Sequence, residues 1–315
     1  MWDAVKVTVT GGAGFIGANL VRALVASGHE VAVIDDFSTG SEANLAGLDV
    51  ALHRGSILER DLLAEACDGA ASIVHLAALG SVPDSLRDPD STFRVNVTGT
   101  LAVLQAARAH GAQVIFASSS AVYGASPTLP KSETLPCAPV SPYGASKLAA
   151  ESAVLAYQHS YGLPCLAFRF FNVYGPLQSP DHPYAAVVPA FVSAVLDGRP
   201  VVVHGDGEQV RDFVSVDSVV SVIADAIGRR FAHPDAINLA FGTRTSIADL
   251  LRKIEAVCDR SATVVHEPPR SGDVRRSQAD ARLLQQLFPD ALCQPLEDGL
   301  RKTVEWYRAT RGVRV

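Results

Sequence analysis

An α/β fold built on a doubly wound parallel sheet, with a smaller α/β region towards the carboxyl end, is what this sequence predicts, and three observations carry the prediction. Apolar, β-branched runs alternate with helical patterns: Val5 to Thr10, Gly17 to Ser27, Val31 to Asp35, a helix around Glu59 to Ala66, then Ser72 to Leu76. The strand runs are continuously apolar, as strands covered by helices on both faces are. Glycines 11, 14 and 17 fall between the first strand and the first helix, where a phosphate-binding turn belongs.

Taken in order, the first strand ends in Thr10 and the Gly-x-x-Gly-x-x-Gly turn opens the first helix. The second strand ends in Asp35-Asp36. Further strands are expected at Gln113 to Ala117 and Cys165 to Phe170, separated by helices at about Ser91 to His110 and Tyr143 to Tyr161. After Phe170 the texture changes to loops punctuated by Gly and Pro, such as Tyr174-Gly175-Pro176 and Ser179-Pro180-Asp181-His182-Pro183. A helix over Ser215 to Ile227 and a strand over Ala236 to Ala240 return part of this half to the sheet. The expected division is residues 1–171, rejoined by about 213–240, and residues 172–315. No repeat or flexible linker separates them, so they share a cleft, and ligand is expected there, outside the carboxyl ends of the strands.

The 315 residues, 48% of them hydrophobic, with 24 Gly and 18 Pro, suffice for one large or two modest cores and exclude a disordered or collagen-like chain. Lys and Arg number 27 against 33 Asp and Glu, and no basic block could track a phosphate backbone, so no nucleic-acid partner is expected. No apolar run approaches the ~18 residues of a membrane span, and Met1-Trp2-Asp3 leads directly into a strand, so neither a membrane association nor a secretory leader is expected. The expected location is the cytoplasm. Cys67, Cys137, Cys165, Cys258 and Cys293 are odd in number and widely spaced, which reads as reduced, mostly packed thiols. Nine histidines without ligand spacing predict no metal.

The chemistry gathers at three places. The glycine turn allows backbone to approach a pyrophosphate at the positive start of a helix, although such turns also serve packing. Asp35 or Asp36, 18 residues beyond Gly17 at its nearer member, suits the adenosine ribose hydroxyls, the other acid capping the next turn; with no Arg following closely, NAD is favoured over NADP. Tyr143 and Lys147 lie one helical turn apart behind the capping pair Ser141-Pro142, an arrangement in which an ammonium stabilises a phenolate, or in which a lysine merely snorkels past a core tyrosine. Ser118-Ser119-Ser120 ends a buried strand at the same edge, where one hydroxyl can hold a reacting oxygen and another satisfies loop backbone.

Together with His75-Leu76-Ala77-Ala78, Asn96 and Arg169-Phe170-Phe171-Asn172-Val173-Tyr174-Gly175-Pro176, these motifs resemble, over nearly the whole chain, the extended short-chain dehydrogenase/reductases of the nucleotide-sugar epimerase/dehydratase branch, whose sheet is the Rossmann fold. The resemblance implies bound NAD contacted by Gly11, Gly14, Phe15, Ile16, Gly17, Asp35, Asp36, Ser38 and Gly40. Ile57, Leu76, Ala77, Ala78, Asn96, Tyr143, Lys147 and Phe171 complete that set, while Ser56 stands where many relatives place an Asp facing adenine. It implies catalysis by Ser119, with Ser120 as the fallback, by Tyr143 as base and by Lys147. The implied nucleotide-sugar contacts are Ser81, Ser119, Ser120, Tyr143, Asn172 and Val187, the strand with Val202 and His204 for uracil, Arg211 and Arg270 for the diphosphate, Asp273 for the ribose, and Ser277 beside carbon 2.

Ser120 and Ala121 stand where dehydratases carry acids, so 4-epimerisation through a transient 4-keto sugar is the implied reaction. Leu177-Gln178-Ser179 lacks the Arg that enzymes of UDP-glucuronate carry after Tyr-Gly-Pro. The stretches Leu79 to Pro83, Tyr184 to Pro189 and Arg270 to Ser277 look most like 4-epimerases of UDP-N-acetylglucosamine or UDP-glucose; a UDP-glucuronate 4-epimerase or decarboxylase is the alternative. A dehydratase or a non-catalytic NAD-binding protein is further off. The resemblance also implies a homodimer joined through the helices at about Ser91 to His110 and Tyr143 to Tyr161.

Overall fold

A computed structural model describes residues 3–180, 186–269 and 274–312. Seven parallel strands form the central sheet: β1 (Lys6–Thr10), β2 (Glu30–Asp35), β3 (Ala51–Arg54), β4 (Ser72–His75), β5 (Gln113–Ser119), β6 (Cys165–Phe170) and, after the short β7 to β10 described below, β11 (Ile237–Leu239). Their spatial order is β11-β6-β5-β4-β1-β2-β3. The chain runs outward through β2 and β3, returns to β4 on the other side of β1, and runs outward again. The order therefore reverses between β1 and β4, where Thr10 lies beside both Ile34 and His75. A doubly wound sheet opens a crevice at such a reversal.

The two faces of the sheet follow the period of two along each strand. Val7, Val9, Val74, Ile115, Leu166 and Phe168 point into one core with α1 (Phe15–Ala26) and, later in the chain, Val216–Gly228. Ile73, Val114, Phe116, Cys165 and Ala167 point into the other, against α2 (Arg60–Cys67), α5 (Thr100–His110) and α6 (Pro142–Tyr161). Both α1 and the β2 strand it leads to are buried, so the glycine turn before α1 is fixed from both sides.

Between β4 and α5 lie α3 (Val82–Arg87) and α4 (Pro89–Phe93). The sequence pattern suggests one helix from Ser91 to His110; the structure starts it at Pro89, capped by Asp88, and widens it to a π-type turn over Arg94–Gly99. The cause is local. Asn96 turns inward to bond Leu79 through both halves of its amide, and Gly99 is pressed onto Ile57, where a Cβ would come within 2.4 Å of Cδ1. Strand β5 extends two residues past the expected Ala117, carrying the serines to the sheet edge.

Beyond β6 come β7 (Asn172–Tyr174), α7 (Val187–Asp197), β8 (Val201–His204), β9 (Val210–Arg211), β10 (Phe213–Ser215) and α8 (Val216–Gly228). After β11 follow β12 (Thr245–Ser246), α9 (Ile247–Cys258), β13 (Val264–Glu267), α10 (Arg282–Leu287) and α11 (Leu296–Gly312). Helices α7, α9 and α11 enclose a third core with Val201, Val203 and Phe213. Strands β7–β10, β8–β13 and β9–β12 form three separate two-stranded pairs outside the central sheet. No helix among the described residues is long and apolar enough to cross a membrane. All five cysteines are thiols; Cys67, Cys165 and Cys258 are buried, and burial pushes the first two up to about 12.

Candidate active site

A cavity of about 890 Å³ opens at the reversal between β1 and β4. Its floor is the glycine turn. Gly11 adopts φ +69°, and a Cβ on it would lie 2.8 Å from the Ala77 nitrogen, while one on Gly17 would lie 2.1 Å from the Gly11 carbonyl. Glycine at these two places is a packing requirement. Gly14 precedes α1 in extended conformation, no side chain caps the helix start, and no acid stands in its first turn. Gly14, Phe15, Ile16 and Gly17 all line the cavity, so the first-turn N–H groups face space suited to a pyrophosphate.

Asp35 and Asp36 both line this cavity too, and both also serve backbone. Asp35 accepts from Ala13 N and Phe37 N at 2.8 Å each, tying β2 to the glycine turn; burial pushes its carboxyl up while these bonds oppose the rise. Asp36 accepts from Ser38 N at 2.9 Å. Ser38, Ser56, Ile57, Leu76, Ala77, Ala78, Ser81 and Phe171 complete the expected wall. Two expected cofactor residues are not on it. Gly40 packs against the Ala13 carbonyl carbon, where a Cβ would sit 2.9 Å away, and Asn96 is buried, holding Leu79 and donating to Ser146 Oγ at 3.0 Å. Their observed contacts shape the wall from behind.

The reacting end is built by α6 and the end of β5. Ser141 caps α6 by accepting from Gly144 N, and Tyr143 N donates to Ser85 Oγ of α3, so the first turn of α6 is held from two sides. Tyr143 and Lys147 line the cavity beside Ser118 and Ser119. Of the three serines it is Ser119 that bears on the Tyr143 phenol, its own Oγ accepting from Ala121 N at 3.1 Å; Ser118 is bonded to Glu151, and Ser120 opens a 3-10 turn off the wall. Burial pushes the phenol up and the neighbouring Ser119 hydroxyl lowers it. The sequence suggests the neighbouring ammonium as the group that lowers it. Instead Lys147 is itself driven down to about 7 by burial, Glu151 opposing, with its ammonium 4.5 Å from the centre of the Phe116 ring.

A second cavity, of about 250 Å³, adjoins the first and shares Val173 and Ala186 with it. Asn172, Val187, Val202, His204 and Arg211, all expected to contact a nucleotide sugar, line it together. Arg211 is buried on β9, and His204 lies 3.6 Å from Glu267. Ser277 does not join them. It is buried, its N–H donating to the Val210 carbonyl at 3.0 Å, and it lies on neither cavity wall, because the segment entering it pairs with β9 at Arg276. Arg270 and Asp273 lie outside the described residues.

Gln178, Ser179, Gln209, Asp84 and Asp88 also line these cavities and were not singled out from sequence. For Gln209 a signal existed: it stands two residues before Arg211 in an extended segment and shares its face. The others depend on loop closure and had none. No group of three metal-binding side chains comes together among the described residues.

Comparison with known proteins places this geometry. The family described as NAD dependent epimerase/dehydratase matches residues 7–240. A UDP-glucose 4-epimerase of Mycolicibacterium smegmatis is 37% identical, covering 96% of this chain and 98% of the relative. A UDP-glucuronic acid decarboxylase 1 of Xenopus tropicalis is 30% identical over 97% of this chain and 73% of its own, and a dTDP-glucose 4,6-dehydratase of Streptomyces niveus is 32% identical over 97% and 94%. The solved UDP-N-acetylglucosamine 4-epimerase of Methanobrevibacter ruminantium M1, in complex with UDP-N-acetylmuramic acid, superposes with a TM-score of 0.93 at 35% identity, over 98% of this chain and 99% of that one.

Proposed function

The chain belongs to the NAD-dependent epimerase/dehydratase family, and on that premise we propose that it is a 4-epimerase of a UDP-sugar, acting on UDP-N-acetylglucosamine, UDP-glucose or both. The carrying observation is the placing of Ser119 and Tyr143 on one cavity wall, the serine lowering the buried phenol, with no acid at Ser120 or Ala121 beside them, in a cavity that adjoins the one lined by Arg211 and Asn172.

NAD is the cofactor, and when bound it supplies a hydride acceptor that takes and returns the hydrogen of the sugar carbon. The residues that would hold it are the Gly11 to Gly17 turn and the start of α1 for the pyrophosphate, Asp35 for the ribose, and Leu76 to Ala78 as the wall behind. Tyr143 Oη removes the proton of the 4-hydroxyl and later gives it back. Ser119 Oγ, on the same wall, holds the same sugar oxygen. Lys147 in its charged form favours the phenolate, opposing the burial that disfavours it. Arg211 holds the diphosphate by its fork of donors while the keto sugar turns over, and the strand of Val202 and His204 receives the base. An elimination across carbons 5 and 6 lacks its proton donor at Ser120-Ala121, and a carboxylated sugar lacks a cation at Leu177.

The chain is also expected to dimerise through α4, α5 and α6, which leave Phe93, Leu101 and Tyr161 exposed on the outside of the sheet's helical layer. Light scattering that showed only monomer at micromolar concentration would remove this assignment. For the reaction itself, purified protein is incubated with UDP-N-acetylglucosamine, UDP-glucose and UDP-glucuronate and the products are read by proton NMR. Interconversion of C4 epimers of a neutral sugar is expected. Release of carbon dioxide from the glucuronate, or formation of a 4-keto-6-deoxy product, overturns the reading.

A further inference from the structure

Behind Tyr143 and Lys147, a further turn along the same face of α6, stands a carboxylate with no place in the mechanism above. Glu151 is 2% exposed and Arg169 of β6 is 7% exposed. Glu151 Oε1 accepts from Arg169 Nη2 at 2.7 Å, and Oε2 accepts from Arg169 Nε at 3.1 Å and from Ser118 Oγ at 2.6 Å. Arg169 Nη1 is taken by the Tyr123 hydroxyl at 2.9 Å and the Glu133 carbonyl at 3.3 Å, and Tyr123 donates on to Asn238.

We propose that Glu151 is the positioning residue of the proton-transfer site: it clamps α6 to the ends of β5 and β6 and sets a fixed anion beside buried Lys147. The clamp joins the three elements that carry the site. Ser118 immediately precedes Ser119 on β5, Arg169 precedes Phe171 and Asn172, and Glu151 shares its helix with Tyr143 and Lys147. Stability alone does not account for the pair, because a buried Glu–Arg pair is commonly no more stabilising than apolar groups of the same size.

The electrostatics follow from the groups around Lys147, which is 4% exposed. On α6 these are Tyr143 and Glu151. From β4 comes His75, kept neutral by burial. From β6 comes Arg169, whose charge is paired with Glu151. From β5 come Phe116, Ser118 and Ser119, none of them charged. Glu151 is therefore the anion that opposes the loss of the Lys147 proton to burial.

The inference rests on reading Tyr143 and Lys147 as the proton-transfer pair, and its test separates the two by a measurement that needs no substrate. The NAD-loaded protein is prepared with 13C-labelled lysine. The chain has five lysines, so Lys147 is assigned by comparison with Lys147→Met. Glu151→Gln is expected to lower the titration midpoint of Lys147 by about one pH unit or more. In the same variant kcat is expected to fall about 100-fold, with KM for the nucleotide sugar within about threefold, and the kcat–pH profile moves with the lysine. Because Glu151→Gln leaves Arg169 buried without its anion, the double variant Glu151→Met with Arg169→Met is made alongside; it removes both charges at similar volume and is expected to move Lys147 in the same direction. A folded variant in which Lys147 titrates as in the parent overturns the proposal, whatever happens to kcat. If Lys147 moves but no UDP-sugar is turned over by the parent protein, the functional reading fails and the positioning role stands.

Discussion

Replacing Gly17 by Ala tests the cofactor site at its tightest point. The added methyl would stand 2.1 Å from the Gly11 carbonyl oxygen and 2.7 Å from the Gly12 Cα, both backbone atoms. Ordinary carbon–oxygen contact requires the turn to open by about 1 Å, and close-packed backbone does not yield that cheaply. Nor is there room behind it, since Gly11 already lies against Leu76 and Ala77 of the neighbouring strand end. Overpacking of this kind costs about 1 to 3 kcal/mol or more. With an unfolding entropy of about 0.7 kcal/mol/K for 315 residues, 3 kcal/mol lowers Tm by about 4 to 5 °C. If the opened turn no longer presents the start of α1, the same 1 to 3 kcal/mol weakens NAD by about 5-fold to 150-fold. The control is Gly14→Ala, whose methyl would meet only the Gly11 oxygen, at 3.2 Å, and needs a few tenths of an ångström. NAD released on denaturation is measured per protomer, and Tm by calorimetry. A Gly17→Ala protein with stoichiometric NAD and an unchanged Tm, or one indistinguishable from Gly14→Ala, would refute the argument.

Tyr143→Phe, which removes the phenol oxygen from the cavity wall, is expected to lower kcat about 100-fold to 10,000-fold while NAD stays bound; initial rates of epimer formation decide it. Arg211→Met is expected to raise KM for UDP-sugars about 10-fold to 150-fold with a smaller effect on kcat, as loss of charge-assisted bonds worth about 1.5 to 3 kcal/mol would. The third concerns pH and stability. Burial holds the folded His75 at about 3 against 6.5 in the unfolded chain, so below pH 6.5 only the unfolded state takes up this proton. Its contribution to stability is complete above pH 6.5 and is lost as pH falls towards 3, at up to about 1.4 kcal/mol per pH unit. Urea unfolding at pH 7, 6 and 5 should show this slope and a shallower one in His75→Gln; equal slopes would exclude His75 as its source.

The parts of the site legible in the sequence are those written in short-range chemistry. The glycine turn announces itself by its spacing between strand and helix, and Gly17 is demanded by contacts within a few residues, with Gly11 and Gly12. Asp35 follows from the length of the β2 strand, and Ser141 with Tyr143 and Lys147 from helix capping and a four-residue period. The seven strands of the sheet were readable except β3, because Ala51-Leu52-His53-Arg54 lies at the edge, half exposed, and lacks the apolar run its partners have. What was hidden depends on contacts far apart in sequence. The widened turn at Arg94–Gly99 exists because Asn96 reaches Leu79 and Ser146, 17 and 50 residues away. Ser277 is drawn against Val210 by a bridge 66 residues long, which no local pattern announces. Helices α7, α9 and α11 define their core through one another, so the second cavity was foreseen only at single residues such as Val187, named by resemblance, and not from helical pattern.

One buried chain shows why the wall at Leu76 to Leu79 is rigid enough to serve as such a site. Thr100 Oγ1 donates its proton to the Asn96 carbonyl at 2.6 Å, so towards His75 it can only accept. His75 must then carry its proton on Nε2, 2.9 Å from that oxygen, which leaves Nδ1 to accept from the Thr10 hydroxyl at 2.7 Å. The Thr10 oxygen keeps a lone pair for the Ala77 N–H at 3.2 Å. Every proton along the path from Ala77 to Asn96 thus has one allowed position, and Asn96 closes the circuit by gripping Leu79 with both halves of its amide. A second proton on His75 would turn Nδ1 into a donor, force the Thr10 hydroxyl to release its own bond, and set a cation against the charge of Lys147. The neutral imidazole is therefore what allows β1, β4 and the π-type turn to hold one loop in one place. The same neutrality leaves the charge balance beside Tyr143 to Lys147 and Glu151.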